Sequence, residues 1–190
     1  MNKTIKKRIE DSIGVKTLLL NNQSLILQIE NLAVAISSAL ANNGKVIFAG
    51  NGGSFADSMH LTTEFVSRFQ EERQALAAIA LGTNNSSLTA ISNDYSFDEI
   101  FAREIMALGK PEDVFIGIST SGNSENVIRA VSTANAIGMK VYCLTGETGG
   151  KLKEHTECIC VPSMITARIQ EAHILIGHII CELVEQAFVK

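Results

Sequence analysis

The stretch KVIFAGNGGSFADSMHLTTEF, Lys45 to Phe65, decides how the rest of the 190-residue chain is read. It opens on a short apolar run, Lys45 to Ala49, of the kind found in a strand buried on both faces. Gly50, Gly52, Gly53 and Ser54 follow at once, a strand-to-helix turn in which glycines let the backbone bend tightly and approach a ligand. A helical segment then carries His60 and Glu64 four positions apart, so both side chains share one helical face. An ordinary core helix needs neither the elaborate turn nor that polar pair. Taken alone the glycines are a weak signal, because a plain strand-to-helix turn would need about as many.

The same alternation runs outward from this stretch. Further short apolar runs stand at LAAIAL (76–81), DVFIGIS (113–119), KVYCLTG (140–146) and ECICVP (157–162). Helical patterns lie between or after them, most clearly SENVIRAVSTANAIG (124–138) and TARIQEAHILIGHIICELVEQAF (166–188). Strands apolar on both faces and separated by helices predict a doubly wound, five-stranded parallel sheet covered on both sides, an α/β fold. Before the first strand, residues 3–42 read as helical and Gly44 closes them, an N-terminal helical extension. Prolines occur only at 111 and 162 and no repeat or low-complexity tract divides the chain, so 1–190 reads as one domain: helices over 1–43 and an α/β core over 44–190.

Composition narrows the functions. A hydrophobic fraction of 46% against 19% charged describes a well-buried globular chain. The net charge is −4 and the basic residues are scattered apart from Lys6, Lys7 and Arg8, so no face for nucleic acid is expected. No apolar stretch behind MNKTIKKRIEDS is long enough for a signal peptide or a membrane span, which predicts a cytoplasmic protein with reduced thiols and no membrane partner. Of Cys143, Cys158, Cys160 and Cys181, the C-x-C pair sits in an alternating run, where both thiols point to one face of a strand. That spacing suits burial better than a redox or zinc motif.

In a doubly wound sheet, ligands bind beyond the carboxyl ends of the strands. The opening turn lies there, and so does GISTSGNSEN (117–126), where a strand runs through small hydroxyl residues into a helix N-terminus. Exposed amide N–H groups, the positive end of the helix dipole and the hydroxyls of Ser119, Thr120, Ser121 and Ser124 make a cradle for a phosphate monoester. A serine-rich loop in which Ser124 merely caps the helix is the plainer alternative. In the opening turn, Asn51 and Ser54 can hydrogen-bond sugar hydroxyls. On the last helix, Gln170 and His178 are eight positions apart, hence about 80° apart around the axis at roughly 100° per residue. They can converge with His60 and Glu64 on a pocket between two helices or two subunits, where imidazole, carboxylate and amide groups bind zinc or move protons. A solvated Glu64 stays open as an alternative, and His155 and His173 read as structural.

Together, GNGGSFADSMHLTTEF, NDYSFDEIF, GISTSGNSENV, LTGETGGKL and ARIQEAHILIGHIICELVE resemble the phosphoheptose isomerases of the sugar isomerase (SIS) domain group, over nearly the whole chain. The resemblance implies a flavodoxin-like three-layer SIS fold. It implies a cytoplasmic homotetramer, with the 1–43 helices used in oligomerisation, that converts sedoheptulose 7-phosphate into D-glycero-D-manno-heptose 7-phosphate, the first step toward nucleotide-activated heptose for lipopolysaccharide core or surface glycans. Position by position, it places the acid/base pair on Glu64 and His178. A metal site for one zinc per subunit falls on His60, Glu64, Gln170 and His178. Substrate contacts fall on Asn51, Gly52, Gly53, Ser54, Arg68, Asn93, Asp94, Ser119, Thr120, Ser121, Ser124 and Gln170. One departure stands at Ala167, where some members carry an aspartate.

The implied chemistry suits these residue types. Aldose and ketose interconvert through an enediol, so a carboxylate must take a proton from carbon while a second group moves protons between two oxygens. A rival from another class is a non-catalytic SIS adaptor that binds a replication-initiator protein; that branch lacks the catalytic carboxylate and the last histidine, and both Glu64 and His178 are present here. A sugar-phosphate sensor attached to a transcription factor would need a DNA-binding domain that these 190 residues do not contain.

Overall fold

The computed structural model describes residues 1–189. The N-terminal extension is two helices, α1 (Asn2–Leu20) and α2 (Gln23–Ala41), separated at Asn21 and Asn22. Asn22 makes the break and restarts the helix, because its side chain accepts the N–H of Leu25 at 3.1 Å, an N-cap. The core then runs β1 (Val46–Gly50), α3 (Gly53–Val66), β2 (Ala78–Ala80), α4 (Asn85–Asp94), α5 (Ile100–Leu108), β3 (Val114–Ser119), α6 (Glu125–Ile137), β4 (Lys140–Thr145), β5 (Glu157–Cys160) and α7 (Thr166–Gln186).

All five strands are parallel, in the order β2-β1-β3-β4-β5. Side chains alternate across the sheet as the period of two requires. Val46 and Phe48 face α1, α2, α3 and α7 in one core, whereas Ile47 and Ala49 face α5 and α6 in the other. The doubly wound, three-layer expectation holds. Because β1 lies between β2 and β3, the chain leaves β1 toward one side and returns to its other side, so the turn after β1 and the loop after β3 open side by side. The pairing of Gly50 with Ile118 sets those two loops at the same height.

Some expectations need adjustment. The 76–81 run forms only three residues of strand, with Leu76 and Leu81 buried at its ends. Helices α4 and α5 were hidden in the sequence: α4 buries no residue fully, so its apolar periodicity is faint. Cys158 is buried, but Cys160 is only half-buried because β5 is the sheet edge. Among the described residues α2 alone is long and apolar enough, by length and composition, to cross a membrane, and the expectation drawn from the N-terminal segment is qualified to that extent. Here α2 commits Leu25, Ile29, Leu32 and Ile36 to the core.

Candidate active site

The site is built on a seam between α3 and α7, which run side by side in the same direction. At one end Gly53 lies opposite Gln170; farther along, Leu61 packs on Gly177. Gly52 begins the turn with φ +56°, a left-handed conformation that disfavours other residues, and a Cβ on Gly53 would collide with the Gln170 amide. The two glycines thus bend the chain into α3 and let α7 approach it.

The seam brings together His60, Glu64 and His178. His60 Nε2 lies 2.9 Å from His178 Nε2 and 3.3 Å from Glu64 Oε1. Among the described residues these three form the one cluster of histidine, cysteine, aspartate and glutamate groups arranged to hold a metal ion, their ligand atoms all within 4.8 Å of one another. Their spacing fits one: a tetrahedral zinc with bonds of about 2.0–2.1 Å has polyhedron edges of about 3.3 Å. Gln170 is the fourth expected ligand. It stands two turns earlier on α7, roughly 12 Å along the axis, with its amide against Gly53. That position beside the glycine turn is where the expected substrate contact would be made.

Two acidic groups near the cluster have no counterpart in the sequence reading. Asp57, one turn before His60, has a buried Oδ2 without a hydrogen-bond partner. Burial raises its carboxyl pKa, opposed by the charges of His60 and His178. Glu185, two turns beyond His178, is buried with Arg73. The spacing of Gly53, Asp57, His60 and Glu64 on one helical face was the signal that could have singled out Asp57.

The hydroxyl loop follows β3 as expected. Ser119 and Ser124 hydroxyls lie 3.0 Å apart, and Ser121 Oγ accepts the N–H of Asn123 at 3.1 Å. Ser124 occupies the N-cap of α6 without bonding to its N–H groups through the side chain, which argues against a mere cap. Thr120 and Ser121 open, with Asn123, Gly146, Thr148 and Ser163, into a pocket of about 250 Å³. The loop is rigidly backed, since Gly122, at φ +66°, has no room for a Cβ against the carbonyl of Gly149. It is also tied to the glycine turn: Asn51 and Asn126 exchange paired amide hydrogen bonds of 2.8 and 2.9 Å. Asn126, buried at the start of α6, was not foreseen.

Other expected contacts lie elsewhere. Arg68 is exposed in the segment after α3 and donates to the Gln70 carbonyl at 3.3 Å. Asn93 and Asp94 close α4, bonded to each other at 2.9 Å, and Asp94 lines a different cleft with Tyr95, Arg103 and Glu104. Ser54 is buried in the first turn of α3, and Ala167 is exposed near the start of α7. His173 is fully buried, as its structural reading requires.

A hydroxyl-lined loop and a glycine turn, side by side at the switch point of a parallel sheet, define an α/β ligand-binding class. The SIS domain family profile matches residues 15–146, more than half of the chain, and the chain belongs to that family. Within it the similarity is to phosphoheptose isomerases. The enzyme of that name from Aneurinibacillus thermoaerophilus is 48% identical over all of this chain and 96% of its own length. Phosphoheptose isomerase 2 of Campylobacter jejuni is 49% identical over 98% of this chain and 93% of its own. The solved phosphoheptose isomerase from Neisseria gonorrhoeae superposes with a TM-score of 0.91 at 40% identity, covering 97% of this chain and 98% of that one.

Proposed function

We propose that this chain, a sugar-phosphate isomerase, interconverts sedoheptulose 7-phosphate and D-glycero-D-manno-heptose 7-phosphate through an enediol. The observation that carries the assignment of roles is the convergence of Glu64 and His178 beside His60 on the α3–α7 seam. Glu64 takes a proton from C1 of the ketose while the C2 oxygen gains one, which gives the enediol. Glu64 then delivers a proton to C2, and the C1 oxygen loses its proton as the aldehyde forms. His178 moves the protons between the two oxygens. His60, Glu64 and His178 would hold a divalent ion, zinc by the nitrogen and oxygen donor set, which when bound supplies polarisation of the carbonyl. The loop of Ser119, Thr120, Ser121 and Ser124 binds the phosphate far from the reacting carbons, and the turn of Asn51, Gly52, Gly53 and Ser54, with Gln170, orients the sugar. The relatives matched here carry the isomerase name, and the adaptor reading finds no support among them.

The whole of 1–190 is read as one SIS domain that assembles into a homotetramer in the cytoplasm. The support is an apolar stripe without cover: Ile5, Ile9 and Ile13 on α1 are each more than half exposed, with Leu18, Val34 and Leu183 also open. Met59, Val66 and Ile179 are exposed on the two helices that carry the polar cluster, which favours active sites near subunit boundaries. There the exposed Arg68, and Asn93 and Asp94 at the end of α4, would find a role. The product is read as feeding nucleotide-activated heptose for surface glycans. The deciding experiment is to incubate purified protein with sedoheptulose 7-phosphate and follow the aldoheptose phosphate by NMR; no conversion would overturn the assignment.

A further inference from the structure

A buried ion pair closes the far end of the α3–α7 seam, and the proton transfers above do not use it. The side chains of Arg73 and Glu185 are each 2% exposed, with Arg73 Nε 3.2 Å from Glu185 Oε1. Each does more than neutralise the other. Glu185 accepts the backbone N–H groups of Phe69, Gln70 and Glu71 at 2.8, 2.7 and 2.9 Å. Arg73 donates to the carbonyls of Glu64 at 2.7 Å and Phe65 at 2.9 Å, in the last turn of α3, where carbonyls lack helical partners. Buried ion pairs are often no more stabilising than apolar residues of the same volume, so stability is a weak reason for this one.

What the pair does is visible in what it holds. The segment from Ser67 to Gln74 leaves α3 toward β2 and passes the end of α7, where Glu185 fixes three consecutive amides of it. Phe69, the first of these, packs its ring against the His178 imidazole, centroids 5.4 Å apart. Arg73 meanwhile grips the backbone of Glu64 itself. We propose that Arg73 and Glu185 are positioning residues for the proton-transfer pair, holding Glu64 by its carbonyl and His178 through Phe69. The proposal rests on the reading of Glu64 and His178 as base and proton shuttle. Burial alone would raise the Glu185 carboxyl pKa, but the three N–H bonds and the Arg73 charge hold it below the usual range, so the clamp stays ionised at neutral pH.

The test compares two buried carboxylates. Asp113 is 1% exposed and accepts the N–H groups of Lys45 and Lys110 and the Lys45 ammonium, but it ties together the segments that enter β1 and β3 and bonds to neither α3 nor α7. Both Glu185→Gln and Asp113→Asn are expected to lower the melting temperature. At a temperature where both variants are folded, Glu185→Gln should lose about tenfold or more in kcat while Asp113→Asn stays within about twofold of the parent. Hydrogen exchange of the peptide holding Phe69 to Glu71, read by mass spectrometry, should accelerate by about tenfold or more in Glu185→Gln only. If Glu185→Gln does not fold, Arg73→Lys decides: it keeps the charge but lacks the planar fork, so a loss of kcat in folded protein supports the proposal and parental kcat overturns it. Parental kcat in Glu185→Gln, or equal losses in the two carboxylate variants, overturns the proposal while leaving the active-site reading intact. Parental turnover in Glu64→Gln would instead overturn the acid/base reading itself.

Discussion

His60 and His178, 118 residues apart in sequence, meet with their Nε2 atoms 2.9 Å from each other and with Glu64 Oε1 3.3 Å from His60. Two imidazole nitrogens can share one proton at that distance, but two protonated rings would repel. Three donors turned toward one point are the arrangement that a divalent cation stabilises. Protein purified without chelator should therefore carry a divalent metal at about one per chain, and His60→Ala should lose it while remaining folded. Elemental analysis finding the same metal content in parent and variant would place the ion elsewhere.

Glu64 is the base in the proposed isomerisation. Glu64→Gln keeps size and hydrogen bonding but removes the proton acceptor, so turnover should fall on the order of 100-fold or more with the fold preserved. Circular dichroism checks the fold, and loss of solvent exchange at the substrate's carbon-bound proton checks the chemistry. Exchange at the parental rate would show that another group is the base.

The parallel sheet was legible because its strands are apolar on both faces and its helices long. The 76–81 run and α4 were not, since a three-residue strand and a helix with no fully buried residue leave little periodicity. At the site, the i, i+4 spacing put His60 and Glu64 on one face, and the expected convergence of His178 on them is seen in the structure. For Gln170 the angle of 80° leaves out the roughly 12 Å along the axis that eight residues span, a distance its side chain and that of His178 must bridge to meet. Asn126, Arg73 and Glu185 were invisible for a different reason. Each matters through a partner distant in sequence, and spacing along one element cannot reveal such a partner.

Asn126 offers a test of how the two ligand loops cooperate. Its amide pairs with that of Asn51 through two hydrogen bonds, the direct link between the phosphate loop's helix and the sugar turn. Asn126→Ala leaves Asn51 unpaired in a half-buried place, at a cost of about 1–3 kcal/mol. Substrate KM should rise by about tenfold, because the phosphate would no longer be held at a fixed height above the sugar turn. Steady-state kinetics on folded variant with unchanged KM would show that the loops are positioned independently.

The last prediction concerns acid stability and arises from His173, which the reaction does not use. Its ring is fully buried on α7; Nε2 lies 3.1 Å from the Thr145 carbonyl and Nδ1 has no partner. That pattern fits the neutral tautomer with Nε2–H donating. Burial lowers its pKa to about 4 from 6.5, opposed by the bond to Thr145. The folded state therefore binds this proton less readily than the unfolded state. Its contribution is constant above about pH 6.5, and stability falls as the pH drops from there to about 4, by roughly 3 kcal/mol at 1.36 kcal/mol per unit. Glu185, whose carboxyl pKa is lowered, loses stability only below its ordinary value of 4.5, and half-buried Asp57 and Glu104, with raised values, act in the opposite direction. Comparing the parent with His173→Gln cancels those groups, since the glutamine amide can still donate toward Thr145 but does not titrate. In metal-free protein, urea unfolding between pH 6.5 and 4 should show the parent losing roughly 3 kcal/mol more than His173→Gln. Parallel stability curves for the two would mean that His173 is already able to accept a proton in the folded protein.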